Sequence, residues 1–350
     1  MVHLNKTQSP IGISLDEQFI KAAQLSRHGG QWRLDSAVRI PRDRPGAAIE
    51  AQEVRGLRDV LARQGFVGRR VVVGLPAQVL LGSLLELPPR SSGAPVEMLA
   101  RAELARMHDC DPHSIETACW DLPGERQTKD TTHMMALACP HEVAEGLLDA
   151  FEQAGLDVEA LDSELHATAR ACGELLSPDG VTAILALGWD AVVLNMMHQG
   201  QIVYHRAMAE VSMKHQASAL AELLEVEPAT IDAVWAQHNN TAPQQRSAEE
   251  TALLETIAGI LETHWEEIVA DLEAPFAYIQ SEHTGREIER LLLTGFGAAT
   301  GNVAEFFEDH LHLMTQVVAP MDAVSCSPAL GDKARDPSLT VAVGLARFTE

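Results

Sequence analysis

One pattern occurs twice in the chain and limits what it can fold into. Ile11 to Leu15 is an apolar run, Asp16 to Gln18 is polar, and a second apolar run from Phe19 to Leu25 leads to Gly29-Gly30. The pattern returns from Ile184 to Met197, with Gly188-Trp189-Asp190 between the two runs and Gly200 after them. Apolar strand, short turn, apolar strand and a following glycine read as a β-hairpin running into a third strand. The copies lie half a chain apart, too far for a solenoid repeat. They predict two similar domains facing each other, with each hairpin tip directed into the cleft between them.

The rest of the chain supplies the remaining layers. Trp32 to Ile40 reads as the third strand of the first copy. Ile49, Val54, Leu57, Val60 and Leu61 share one face of a helix within residues 46–64. Arg69 to Leu75 reads as a strand buried on both faces, which implies an α/β layer. A βαββα unit follows: strand 79–87, helix 95–108 with Met98, Leu99, Leu104 and Ala105 as apolar positions, strands 114–122 and 132–138 joined by a glycine-containing loop, and helix 141–154 ended by Gly155. Strand 157–162 and helix 163–175 lead to Ser177-Pro178-Asp179-Gly180, the clearest boundary in the sequence. After the second hairpin and strand 201–207, residues 212–283 are helical in pattern. They include a helix start at Pro228, a polar loop Asn239–Gln245, and a Ser247 cap completed by Glu250. Strand 290–295, helix 303–310, strand 314–318 and a helix 340–348 complete the chain. The expected division is 1–178, carrying the inserted unit at about 77–155, and 179–350, carrying a helical insertion at about 212–284.

Length and charge exclude several classes. The 350 residues, 46% hydrophobic, allow two ordinary domains with buried cores. A net charge of −24 argues against a general nucleic-acid binder, which needs clustered cations. Residues 1–70 are nevertheless basic, with 12 Lys or Arg against 7 Asp or Glu; they could face an anionic membrane surface, and the favoured reading is a solvated arginine-bearing face. Five cysteines without a CxxC pair fit reduced thiols in the cytosol. The N-terminus lacks the apolar run of a signal peptide, and no stretch supplies the ~20 apolar residues of a spanning helix. The run His108-Asp109-Cys110-Asp111-Pro112-His113 reads as a helix end and a turn rather than a metal site, and His310 and His312 as an exposed helix end. No P-loop, HExxH or nucleophile signature occurs.

In order, duplicated hairpins, an inserted βαββα unit, a helical insertion, a strand ending in Gly-Phe-Gly and a final Ala-Val-Gly-Leu-Ala helix resemble the actin-like fold. Within it they resemble the PilM family of type IV pilus assembly proteins, related to FtsA. The stretches that carry the resemblance are 11–34, 69–88, 151–171, 182–206, 290–311 and 339–348. The resemblance implies a duplicated RNase H-like, two-domain α/β fold with both insertions. It also implies a nucleotide cleft between the domains, with ATP or ADP and Mg²⁺ as the family's ligands. In this sequence the cleft would draw on Ser14, Asp16, Lys21, Gly188, Asp190, Gly295 and Gly297.

Several of those positions depart from the family pattern. Its hairpin turns read Asp-Ile-Gly, where glycine admits the phosphates and the carboxylate orders the hydrated metal. Here the first turn reads Ser14-Leu15-Asp16, placing an acid where phosphate would approach. The second reads Ala186-Leu187-Gly188, with Asp190 expected to be a solvated turn residue. Ala209-Glu210-Val211-Ser212 stands where the family has a Gly-Gly loop, Glu267-Ile268-Val269-Ala270 lacks the family's arginines, and Phe296 is bulky beside the base site. The expectation is therefore no cofactor and no catalytic residue. The resemblance implies an adaptor that holds the cytoplasmic N-terminal peptide of a PilN-like inner-membrane protein and contacts other pilus components. It would sit in the cytoplasm, peripheral to the inner membrane, with a homo-oligomer compatible. The peptide groove would draw on strand 79–87, helix 95–108 and helix 163–175. The alternative is a divergent but active actin-like ATPase. A type II secretion component and an FtsA-like filament former fit less well, because the chain ends at Glu350 without the membrane helix of either.

Overall fold

The computed structural model describes residues 7–123, 131–223, 225, 248–282 and 287–348. The glycine loop expected before Thr132, the helix start at Pro228, the loop Asn239–Gln245 and the Ser247 capping box lie outside the described residues.

The duplicated pattern folds into two sheets of matching topology. In the first, β1 (Thr7–Gln8), β2 (Ile11–Leu15), β3 (Phe19–His28) and β4 (Gln31–Pro41) form an antiparallel meander. β5 (Arg70–Leu75) then pairs in parallel with β2 after helix α1 (Ala51–Arg63). The inserted unit comes next: β6 (Leu81–Leu87), α2 (Val96–Met107), β7 (Ile115–Asp121), β8 (Thr132–Pro140) and α3 (His141–Gln153). The chain returns with β9 (Asp157–Ser163), parallel to β5, and α4 (Glu164–Ala171). In the second sheet, β10 (Val181–Leu187), β11 (Val192–His198) and β12 (Gln201–Met208) repeat the meander. Helices α5 (Met213–Leu223) and α6 (Ala248–Glu282) intervene before β13 (Ile288–Thr294) pairs in parallel with β10. Helix α7 (Val303–Leu311) and β14 (Met314–Val317) complete that sheet. The orders β4-β3-β2-β5-β9 and β12-β11-β10-β13-β14 are the same arrangement built twice.

Local sequence explains most of these elements. Val71 to Leu75 are buried throughout, as a parallel strand covered on both faces requires. The second half of β6 alternates between faces, with Leu85 and Leu87 buried against α2 and Leu84 and Glu86 exposed. The face of α2 keeps Leu104 and Ala105 of the expected positions and replaces Met98 and Leu99. Val96, Ala100, Leu104 and Ala105 are buried, whereas Met98 is 68% and Leu99 37% exposed. Small alanines bring the helix close to the strands, which leaves the long apolar side chains outside. At the end of α2, His108 is the C-cap, and the Asp111 side chain accepts a hydrogen bond from His113 N–H, as the turn reading required. Pro275 lies inside α6 and removes the hydrogen bond to the carbonyl of Asp271, four residues earlier. Arg206 donates to that carbonyl at 3.5 Å from β12 and pairs with the Asp271 carboxylate.

The C-terminal segment, grouped by sequence with the second half, returns to the first. After the short helix α8 (Pro320–Ala323), β15 (Ser325–Cys326) pairs in parallel with β4. Leu339 and helix α9 (Thr340–Ala346), through Ala342, Val343 and Ala346, then enter a core with Ala23, Leu25 and Leu34. A Cβ at Gly344 would fall 1.8 Å from the Ala167 carbonyl, so the crossing of α9 over α4 requires glycine there. The inserted unit also reaches the second half. Trp120 on β7 donates from Nε1 to the Ile202 carbonyl at 3.0 Å. Among the described residues, no helix is long and apolar enough to cross a membrane.

Candidate functional site

The two hairpin tips meet across the line between the sheets. Asp16 closes the first turn, its Oδ1 accepting from Gln18 N–H at 2.9 Å and Phe19 N–H at 2.5 Å. Its Oδ2 lies 2.7 Å from Lys21 Nζ, and the two side chains are 11% and 12% exposed. Asp190, from the second tip, accepts at Oδ2 from Glu17 N–H at 2.9 Å. Glu17 pairs at the rim with Lys214. Glu164 opens α4 from the floor, directly after the Ser163 N-cap and beside the fully buried Ser14 hydroxyl.

This places three carboxylates around one ammonium. Burial alone would lower the Lys21 pKa, but Asp16, Glu164 and Asp190 outweigh it and hold the ammonium above its ordinary range. Burial raises Glu164, with Lys21 opposing. Burial also pushes Asp190 up to about 6, against the stabilising Glu17 amide. Asp190 is thus half-buried and held by the other half of the molecule, not a solvated turn residue.

Beside the charges, an aromatic cluster fills the cleft. Phe19 stacks on Phe296 with centroids 5.7 Å apart, and Trp189 meets both edge-on at 6.2 and 5.6 Å. The Arg39 guanidinium lies over Phe19 and Phe296 at 5.2 and 5.5 Å from the ring centres and pairs with Asp336 at 3.2 Å. The remaining void, lined by Asp16, Lys21, Glu164, Asp190 and Phe296 among others, has a volume of about 80 Å³.

Of the residues expected here, Asp16, Lys21, Gly188, Asp190 and Gly295 line this void, while Ser14 and Gly297 sit behind it. The glycines answer to packing of the chain itself. A Cβ at Gly188 would lie 2.5 Å from the Ala191 carbonyl inside its own turn. Gly295 has φ +89° and lies against the Leu187 carbonyl. Sequence reasoning missed Glu164, Arg39, Phe19 and Trp189 as site residues. For Glu164 the signal was a carboxylate directly after a serine cap, and for the aromatics it was their position at or beside the hairpin tips.

A second, larger cavity of about 570 Å³ lies where the inserted unit, α4 and the β11–β12 turn converge. Trp120, His166, Arg170, Met197, Gln201 and Ile202 line it. Trp120 packs edge-on against the His166 ring at 4.9 Å. Arg170 is held by Asp162, by the Gly344 carbonyl at 3.0 Å and by the Phe348 ring. Burial lowers the pKa of His166, so the ring is neutral near pH 7.

Two sheets of identical strand order, a cleft between their hairpin tips and an inserted unit on the first half define an actin-like two-domain fold. The sequence profile described as type IV pilus assembly protein PilM matches residues 12–348, and the chain belongs to that family. Among solved structures, it is similar to the PilM-PilN type IV pilus biogenesis complex, with a TM-score of 0.77 at 19% identity over 97% of both chains. It is also similar to the ethanolamine utilization protein EutJ from Carboxydothermus hydrogenoformans, with a TM-score of 0.57 at 13% identity over 98% of this chain and 90% of that one.

Proposed function

We propose that this chain is a cytoplasmic adaptor of a type IV pilus or related secretion machine. It holds the N-terminal cytoplasmic peptide of a PilN-like inner-membrane protein, which ties it to the membrane, and its interdomain cleft carries no Mg-nucleotide. The observation that carries the adaptor reading is the cavity beside Trp120. It is preformed, sits at the edge of the inserted unit, and combines apolar walls with His166, Arg170 and Gln201. That composition suits anchoring side chains of an extended peptide, and its volume falls within the ~300–1,000 Å³ of ordinary ligand sites. The family and the PilM-PilN complex supply the partner class. The pocket is lined by α4, which the expected groove also includes, and by β7 and the β11–β12 turn.

The cleft supports the second part. A void of about 80 Å³ is small against the ~300 Å³ lower end of ligand sites. Asp16 occupies the position where the family turn has glycine, and Phe296 is packed between Phe19 and Trp189. A labelled synthetic peptide copying the cytoplasmic N-terminus of the PilN-like protein, titrated into the intact chain, tests the adaptor. Binding should weaken roughly 30-fold, a hot-spot loss of ~2 kcal/mol, in Trp120→Ala. Phe296→Ala should bind as the parent does. Absence of saturable binding overturns the adaptor reading. A thermal midpoint that rises with Mg-ATP or Mg-ADP concentration overturns the cleft reading and favours a divergent ATPase.

A further inference from the structure

Positive charge gathers at the end of the first sheet remote from the hairpin tips, where β3 turns into β4 and β5 begins. The loop from α1 to β5 is fixed there by Gln24, which is 2% exposed. Its amide nitrogen donates to the Val67 carbonyl at 2.7 Å, and its oxygen accepts from Val67 N–H at 2.8 Å. Gly65 and Gly68, with φ +84° and +86°, turn the chain on either side, and Phe66 is buried between them. Val67 is thereby held outward and is 56% exposed. Arg63, Arg69 and Arg70 flank it, all exposed. Arg70 also donates to the Gln8 carbonyl at 3.3 Å, beside the Thr7–Arg27 strand pair. Among the described residues, Arg27, Arg55, Arg63 and Lys333 bond to neutral groups: the Gly30 carbonyl, the Gln52 amide, the Asp59 carbonyl and the Gln64 amide. Arg69 and Arg70 pair with Asp157 and Glu159, but the guanidiniums are 65% and 57% exposed, so water weakens both pairs. The rest of the chain is acidic, with 14 Lys or Arg against 43 Asp or Glu over residues 71–350.

We propose that this end of the first half rests directly on an anionic phospholipid surface, with Arg27, Arg55, Arg63, Arg69, Arg70 and Lys333 against the headgroup phosphates and Val67 as a shallow apolar anchor. Guanidinium groups present forks of donors that match phosphate oxygens. Each cation near an anionic leaflet adds attraction that fades within a Debye length. The acidic remainder is repelled by the same surface, so the field of the whole chain turns this end toward it. Arginines alone would suit any polyanion. A fixed apolar tip among them suits the boundary between headgroups and acyl chains. The contact lies apart from the pocket beside Trp120, and it adds a second membrane attachment that reinforces the first by effective concentration.

The test is flotation of the intact chain with vesicles of phosphatidylcholine alone or with about one third phosphatidylglycerol. The parent should float with the anionic vesicles only, and salt raised from about 0.05 to 0.5 M should release it. Arg27→Gln with Arg63→Gln removes two charges that lack acidic partners and should weaken partition roughly 25-fold, about fivefold per charge. Val67→Ser should weaken it roughly threefold. Arg44→Gln with Arg106→Gln removes the same charge from exposed sites elsewhere and should change partition less than about twofold. Thermal midpoints near the parent's are expected for all of these surface variants. No flotation of the parent with anionic vesicles, or an equal loss in the two double variants, overturns the proposal. Trp120→Ala should float as the parent does, so failure of the peptide titration and failure of vesicle binding are read separately.

Discussion

His264 gives a quantitative test of how the helical insertion is held. Its side chain lies in α6 with no solvent exposure, between α5 and the ring of Trp265. Burial, reinforced by the nearby His215, lowers its pKa from 6.5 to about 4. A hydrogen bond to the Val211 backbone opposes the shift without cancelling it, and Glu267, 3.6 Å away on the same helix, is 60% exposed. The folded chain therefore keeps His264 neutral at pH values where the unfolded chain protonates it. Stability from this group is fully present above the unfolded value of 6.5 and is lost as pH falls toward about 4. Between pH 7.5 and 5.0 the linkage amounts to about 2 kcal/mol. His264→Met keeps an apolar, flexible side chain that suits a helix and cannot titrate. Urea unfolding of parent and variant at both pH values isolates the term, because every other group contributes equally to the two chains. The parent should lose about 2 kcal/mol more than His264→Met on acidification. Equal losses would show that His264 already reaches water in the folded chain, and the burial argument would fail.

Two further perturbations probe the first half and the cleft. Asp190, raised to about 6 from 3.8, makes the folded chain less stable as pH rises through that window. Asp190→Asn keeps an acceptor for Glu17 N–H and should stabilise the chain at pH 7.5 by about 1–2 kcal/mol after allowance for solvent screening, with no gain near pH 3.5. A destabilised variant at pH 7.5 would contradict it. Arg42 and Glu53 form a buried pair at 2.9 Å, with side chains 6% and 8% exposed. Glu53→Gln leaves the guanidinium its bond to the Ala47 carbonyl but no counter-charge, and should cost roughly 3–5 kcal/mol in denaturant unfolding, whereas a loss under ~1 kcal/mol would show that water reaches the pair.

Much of the architecture was legible because hairpins, helix faces and caps are set by residues close in sequence. Ile11–Leu15 and Val181–Leu187 carry their strand patterns in their own side chains, and Gly155, with φ +79°, ends α3 as a capping glycine does. In helix α2, Leu104 and Ala105 are buried as expected, but apolarity also marked Met98 and Leu99, while the close approach of the strands selects Val96 and Ala100.

The site was less legible. Sequence placed Asp16, Lys21 and Asp190 near one another through the duplicated hairpins, since each tip's position follows from its own strand pair. What those groups meet was decided by tertiary structure. Glu17 N–H finds Asp190 173 positions away, Glu164 enters from a helix after the inserted unit, and Phe296 arrives from a third strand to stack on Phe19. The C-terminal helix α9 likewise crosses back to the first sheet, because its apolar face fits the groove between β2, β3 and α4 better than water. Local periodicity fixes which face of an element is apolar. Which elements share that face, and whether a carboxylate at its edge meets water, an amide or an ammonium, depends on contacts between residues far apart in the chain, and periodicity carries no record of them.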